Sequence, residues 1–206
     1  MPIDRKKFFD GIRHQPFDGK LTSQQVKGTS AILDEWEKRK LTDLRELAYM
    51  LGTAKWETDH EMYPNSEKGG AAYLTRLYDV KGSNPTRARR NGNTAPGDGP
   101  KYCGRGYVHL TWKNNYAAMT KLLNAAGINV DLVKNPELAM RPDIAAFVMF
   151  EGMRRGSFTG AKLSTFFTPT KSDWVGARKI INGTDRANEI AAISKAFYAD
   201  LALAAA

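Results

Sequence analysis

Tyr102-Cys103-Gly104-Arg105-Gly106-Tyr107-Val108-His109-Leu110-Thr111-Trp112 is the most distinctive stretch of this chain. Two glycines flank an arginine, and bulky residues then alternate from Tyr107 to Trp112, the period-two pattern of a short strand. Directly afterwards Tyr116, Met119, Leu122, Leu123 and Ala126 recur at helical spacing, predicting a helix that ends near Gly127. Gly104-Arg105-Gly106 lacks the further glycine and the strand-to-helix setting of a dinucleotide site. No Gly-Lys-Ser/Thr phosphate loop occurs either, so no cofactor is expected.

Upstream, Pro64 to Pro100 is rich in Gly, Asn, Pro and Arg, and reads as a long binding loop or lid. Within it, Tyr73 to Tyr78 is the only run that fits a small hairpin. Before this loop lie two helices. The first spans Thr22 to Lys38 and carries Val26, Ile32, Leu33 and Trp36 on one face. The second begins at Asp43, with Glu46 placed for a capping box, and carries the stripe Leu44, Leu47, Ala48, Leu51, Ala54. Downstream, Asp143 is placed to cap a helix through Ile144, Phe147 and Val148. Another helix holds Trp174, Ala177, Ile180 and Ile181, and a last one runs through Ile190, Ile193, Phe197 and Leu201. The pattern predicts an α+β, predominantly α-helical chain whose residues 1–206 form one domain, with two lobes around a cleft.

The formal charge of +9 and pI near 9.6 point to a polyanionic partner. The basic residues are dispersed, densest at Arg87, Arg89 and Arg90, and no zinc-finger spacing or aromatic-flanked basic motif accompanies them, so nucleic acid is not the expected partner. Met1 to Lys7 turns polar at once and no run of membrane-spanning length follows, so neither a leader nor a membrane anchor is expected. The single Cys103 excludes an intramolecular disulfide, compatible with folding in a reducing cytoplasm.

Projected at helical spacing, Glu57 falls at the edge of the apolar arc of the second helix, near Met50 and Ala54. A carboxyl where core meets surface is partly desolvated, which raises its pKa and fits it for proton donation; the plainer reading is an exposed acid in the last turn. Ten residues on, Glu67 stands beside Lys68 and the open Gly69-Gly70 pair. Glycoside hydrolysis uses two such carboxyls, one to protonate the leaving oxygen and one to activate water or attack the sugar. Asp59, His60 and Glu61 crowd the same segment, but no His-Glu-x-x-His spacing or Cys partner accompanies them, so no metal site is expected.

Taken together, Ala54-Lys55-Trp56-Glu57-Thr58, the Tyr102 to Trp112 block, Asn114-Asn115-Tyr116, Asn135-Pro136-Glu137-Leu138 and Ile180-Ile181-Asn182-Gly183 resemble, in order, the motifs of family 19 glycoside hydrolases. The likeness spans about residues 44 to 200 and implies a lysozyme-like fold with a small β-hairpin or loop lobe beside a substrate cleft. It makes Glu57 the general acid, from the family's His-Glu-Thr motif, with Trp56 in place of the His. Glu67 matches the general base of the phage and bacterial branch, with Glu61 and Asp79 as alternatives. Thr111 takes the position that helps to hold the attacking water. Asn115 and Asn182 would donate to the sugar, and His109 stands where the family usually carries Gln. Tyr102 and Arg105 would either touch substrate or support the cleft from beneath.

The resemblance divides between chitinases and phage endolysins, and the compact, basic, single-cysteine chain with no separate wall-binding module sits with the second group. It implies a monomeric muramidase that cleaves peptidoglycan glycan strands for host cell lysis. The enzyme would be made in the host bacterial cytoplasm, pass to the periplasm or cell wall on release, and be drawn to anionic envelope polymers by charge. Inversion at the anomeric carbon would require carboxyls about 6.5–9.5 Å apart. A chitinase and a non-catalytic wall-binding module are the alternatives.

Overall fold

The computed structural model describes residues 2–205, and its chain forms two compact units: residues up to Tyr63 together with those from Met149 onward, and Pro64–Val148 between them. The fold is α+β and predominantly helical.

In the first unit, α1 (Arg5–His14) is capped by the Asp4 side chain on the Lys7 N–H and buries Phe8 and Ile12. Helix α2 (Ser23–Lys38) starts from a reciprocal capping box between Thr22 and Gln25, the geometry that satisfies two otherwise orphaned N–H groups. It buries Ile32, Leu33 and Trp36. Helix α3 (Leu44–Glu57) is buried continuously from Glu46 to Lys55, so the predicted stripe widens to the whole circumference. The predicted Asp43–Glu46 capping box does not form. Asp43 accepts from the Arg45 N–H, and the Glu46 carboxylate accepts instead from Arg154 at 3.1 Å.

The second unit contains β1 (Asn65–Ser66), α4 (Ala71–Tyr78), α5 (Pro85–Arg90), α6 (Asp98–Lys101), β2 (Arg105–Gly106) and α7 (Lys113–Ala125), followed by a 3-10 turn, Pro136–Met140. The expected long loop with a hairpin at Tyr73 to Tyr78 is therefore a chain of short helices. No periodicity announces them because each is held by side chains that clamp the backbone. Asp79 accepts from the N–H groups of Lys81, Gly97 and Gly99, and buried Asn93 donates to the Tyr78 carbonyl while accepting from the Lys113 N–H.

The strand expected from Tyr107 to Trp112 is also corrected. Only Arg105–Gly106 is extended, antiparallel to Asn65–Ser66, while Tyr107 to His109 form a tight turn that returns Leu110 to bridge with Arg105. The alternation of bulky residues reflected burial inside this turn: Tyr107, Val108, Leu110 and Trp112 are all in the core. Here Gly106, His109 and Trp112 adopt φ of 89°, 49° and 79°, a backbone that two non-glycine residues tolerate only because the surrounding packing holds it. Cys103 is buried, with Sγ 3.7 Å from Ser66 Oγ beside the strand pair.

Helix α8 (Pro142–Arg155) begins one residue before Asp143, which pairs with Arg141 rather than capping the helix. Returning to the first unit, α9 (Leu163–Phe166) precedes a two-residue hairpin of β3 (Phe167–Thr168) and β4 (Lys171–Ser172). The helix expected around Trp174 to Ile181 is a short 3-10 segment, Gly176–Ile180. Helix α10 (Ala187–Ala204) closes the unit against α3 and α1. Contact with α3 is made at Gly52, where a Cβ would fall 2.1 Å from Ser194 Oγ and 3.0 Å from its Cα. Phe197 stacks on Phe8 with centroids 6.5 Å apart.

Candidate active site

Glu57 ends α3, the helix whose burial positions it. Its Oε1 accepts from Arg178 Nη1 at 2.6 Å, and the Glu57 and Arg178 side chains are only 17% and 4% exposed. The boundary position read from the sequence is thus correct, but the acid is not solitary. Arg178 sits in the Gly176–Ile180 turn and is fixed from behind, its Nε donating to the Asp185 carbonyl. Asn182 belongs to the same loop: its N–H donates to the Arg178 carbonyl and its side chain is exposed. The Tyr49 hydroxyl lies within electrostatic reach of Arg178 and Glu57, and burial pushes its phenol up from the usual tyrosine range.

After Glu57 the chain turns sharply through Asp59, His60 and Met62, all with positive φ. Glu61 is exposed on this turn. His60 Nδ1 lies 2.6 Å from Lys55 Nζ. Burial, then the Lys55 charge, hold the His60 imidazole below its usual range, and burial likewise lowers Lys55.

In the second unit, Glu67 is gripped at both oxygens. Oε1 accepts from the Tyr78 hydroxyl at 2.9 Å, Oε2 accepts from the Gly104 N–H at 3.3 Å, and the Glu67 N–H donates to the Gly104 carbonyl at 2.8 Å. Gly104 is required for this approach, since a Cβ there would stand 3.1 Å from Glu67 Oε2 and 2.9 Å from His109 Cβ. Burial, then the hydrogen bond to Glu67, raise the Tyr78 phenol, which favours the protonated donor form. The predicted residues His109 and Thr111 lie on the loop that follows β2, and Asn115, in the first turn of α7, reaches back to it. His109 Nε2 is 3.0 Å from Asn65 Oδ1, Thr111 Oγ1 donates to the His109 carbonyl at 2.7 Å, and Asn115 Nδ2 donates to the Thr111 carbonyl at 2.8 Å. With its proton engaged, the Thr111 hydroxyl has lone pairs left to accept from a water.

Of two further predicted contacts, Tyr102 is scaffold and Arg105 is in part engaged within the fold. Tyr102 is fully buried against Tyr116, and its hydroxyl donates to the Val133 carbonyl. Arg105 Nη1 is spent on the Lys101 and Cys103 carbonyls and the Tyr116 hydroxyl. Asp79, the alternative base, is ruled out by its surroundings. Burial pushes its carboxyl up, but the hydrogen bonds from Gly99, Lys81 and Gly97 outweigh this and hold it below 3.8. A carboxylate whose oxygens are consumed by backbone N–H groups shapes a loop and takes no proton from water. Sequence reasoning missed Arg178 and Tyr78. No pattern could have offered Arg178, which lies 121 positions from its partner, and Tyr78 was read as part of a hairpin.

No family model and no curated protein matches the chain. Among solved structures it is similar to chitinase C from Streptomyces griseus HUT6037, with a TM-score of 0.57 and 18% identity, covering 97% of this chain and 76% of that one. It is also similar to a bacterial family 19 chitinase, with a TM-score of 0.56 and 19% identity, covering 98% and 95% of the two chains. This chain has the family 19 chitinase fold. The likeness covers nearly the whole chain. At these identities it concerns architecture, so the chemistry has to be argued from the side chains.

Proposed function

We propose that the chain is a glycoside hydrolase of the endolysin type, a muramidase that cleaves the β-1,4 bond between N-acetylmuramic acid and N-acetylglucosamine in bacterial peptidoglycan. The observation that carries this reading is that two carboxyls, Glu57 at the end of α3 and Glu67 beside Gly104, are each partly exposed and each held by defined donors, in a chain folded like the family 19 chitinases. In this mechanism Glu57 gives its proton to the leaving glycosidic oxygen as the bond to the anomeric carbon breaks. Glu67 takes a proton from the water that attacks the opposite face, and Thr111 accepts that water's other proton in a hydrogen bond. Proton donation requires Glu57 to exchange its contact with Arg178 for one with the substrate. Asn115 and Asn182 supply sugar contacts. The enzyme acts as a monomer, as one catalytic domain, at the wall after release from the host cytoplasm.

A chitinase is the second reading, favoured by the likeness of the fold to two chitinases of known structure. Mass spectrometry of the products from purified peptidoglycan and from chitin oligomers separates the two. Reducing-end muramic acid is expected, formed with inversion in an NMR time course of the anomeric proton. Cleavage of chitin oligomers alone would establish the chitinase. Glu57→Gln and Glu67→Gln should each lower turnover by orders of magnitude with the fold intact; undiminished lysis by Glu57→Gln would leave a binding module.

A further inference from the structure

The second unit has a concentration of exposed positive charge that the proposed chemistry does not use. Between Lys68 and Lys113 the chain carries nine Lys and Arg residues against two acids, Asp79 and Asp98. Of the nine, Lys113 pairs with Asp98 at 3.6 Å and Arg105 is turned onto neighbouring carbonyls, while the other seven are exposed. Both acids are buried and turned onto backbone N–H groups. The outward-facing charge of this stretch is therefore almost wholly positive, and part of it borders a cavity.

That cavity, of about 480 Å³, is lined by Ala72, Thr75, Arg76, Lys81, Gly82 and Ser83. Its volume is in the range of small-ligand sites. Helix α4 forms one wall through Ala72, Thr75 and Arg76, and the turn 79–83 folds back to form the other. The turn is held tightly, with Gly82 N–H donating to the Asp79 carbonyl and Ser83 N–H to the Arg76 carbonyl. Gly82 packs so closely that a Cβ would lie 2.3 Å from the Thr75 carbonyl oxygen. The α4 carbonyls that would repel an anion are already engaged: Thr75 accepts from the Asp79 N–H and Arg76 from the Ser83 N–H. What the cavity presents is a guanidinium, an ammonium and two hydroxyls. Arg76 and Lys81 are exposed, and neither makes an ion pair with a carboxylate among the described residues. Arg76 instead lies over the Tyr73 ring, 5.5 Å from its centroid, which holds the guanidinium in place beside an apolar face.

We infer that this cavity is a carboxylate-binding subsite that recognises the acidic substituents of the glycan strand, the lactyl-linked peptide stems of peptidoglycan. Arg76 and Lys81 bind the carboxylate, while Ala72 covers aliphatic parts of the stem. Chitin has no such group, so the cavity is a specificity determinant separate from the carboxylates that do the chemistry. On helical geometry Ala72 and Arg76 project from a different face of α4 than Tyr78, which holds Glu67, so the subsite is separate from that carboxylate. The inference rests on peptidoglycan being the substrate.

The test is a binding titration, by NMR or calorimetry, of the full chain with a soluble disaccharide-peptide bearing free carboxylates, and with its amidated counterpart. Cleavage of peptidoglycan and of chitin oligomers is measured in parallel. Arg76→Ala with Lys81→Ala should weaken binding of the free-acid muropeptide about tenfold, the scale expected for losing two partly solvated charge contacts. Amidation should weaken binding to the wild type by a similar factor and leave the double variant indifferent, and any cleavage of chitin oligomers should be unchanged. Equal affinity of the wild type for the two muropeptides would overturn the inference, as would peptidoglycan cleavage that the double substitution leaves untouched. If the muropeptide binds with these preferences but the polymer is not cut, the subsite stands and the muramidase reading fails.

Discussion

Replacing Arg178 with methionine tests whether Glu57 is held by the ion pair described above. The guanidinium is almost fully buried and makes two bonds, one to Glu57 at 2.6 Å and one to the Asp185 carbonyl at 2.9 Å. Breaking a fully buried pair by removing one partner costs about 3–5 kcal/mol. The Glu57 side chain keeps 17% of its exposure and can turn toward water, so about 2 kcal/mol is the better figure for the stranded carboxylate. Loss of the donor to Asp185 adds about 1 kcal/mol. Methionine nearly conserves the packed volume, so little is added for a cavity. The sum, about 3 kcal/mol, corresponds to a fall in Tm of roughly 6–12 °C for a chain of this size. Urea and thermal unfolding of the wild type, Arg178→Met, Glu57→Gln and the double variant form a cycle, with an expected coupling of about 2 kcal/mol. Unfolding energies that add within about 0.5 kcal/mol would refute the claim that these side chains act as a pair.

Gly104→Ala should lower stability by about 1–3 kcal/mol through overpacking and displace Glu67 from its N–H donor; turnover should fall more than substrate affinity, which separate kcat and KM measurements resolve. Asp79→Asn should destabilise the protein by about 1–3 kcal/mol at pH 7, because the amide's single oxygen cannot accept all three N–H bonds. The Asp79 carboxyl is held below its usual 3.8 in the folded state, so its contribution is complete above that pH and disappears as pH falls through the lower folded value. The gap between wild type and variant in urea unfolding should therefore narrow below about pH 4, and a gap independent of pH would contradict the clamp.

Much of the helical frame was legible because it obeys local rules. The stripe from Leu44 to Ala54, the Thr22 cap and the helix from Lys113 toward Gly127 need only spacing and short-range hydrogen bonds. Readings failed where the backbone is governed by distant partners. Alternation from Tyr107 to Trp112 imitates a strand because a tight turn buried on several sides also asks for bulky residues. The helices between Ala71 and Lys101 are too short for periodicity to show, and depend on Asp79, Asn93 and Asp98 reaching backbone groups as much as 20 positions away. Among the candidate residues, the half-buried place of Glu57 at the end of α3 was readable from helical spacing. Arg178 was not, because an ion pair across 121 positions leaves no trace in local sequence. The same limit applied to Tyr102, whose hydroxyl looks available for a sugar until the Val133 carbonyl that consumes it is seen.

Cys103 carries a consequence for observing this protein at work. It is the chain's one cysteine, 2% exposed beside Ser66, next to the strand pair that leads into the Glu67 segment. A thiol reagent reaches it only when that neighbourhood opens, so the labelling rate is a clock for local opening, read without mutation or added probe. Slow, ligand-sensitive labelling would measure how firmly the loop that holds Glu67 is shut, on timescales of minutes to hours.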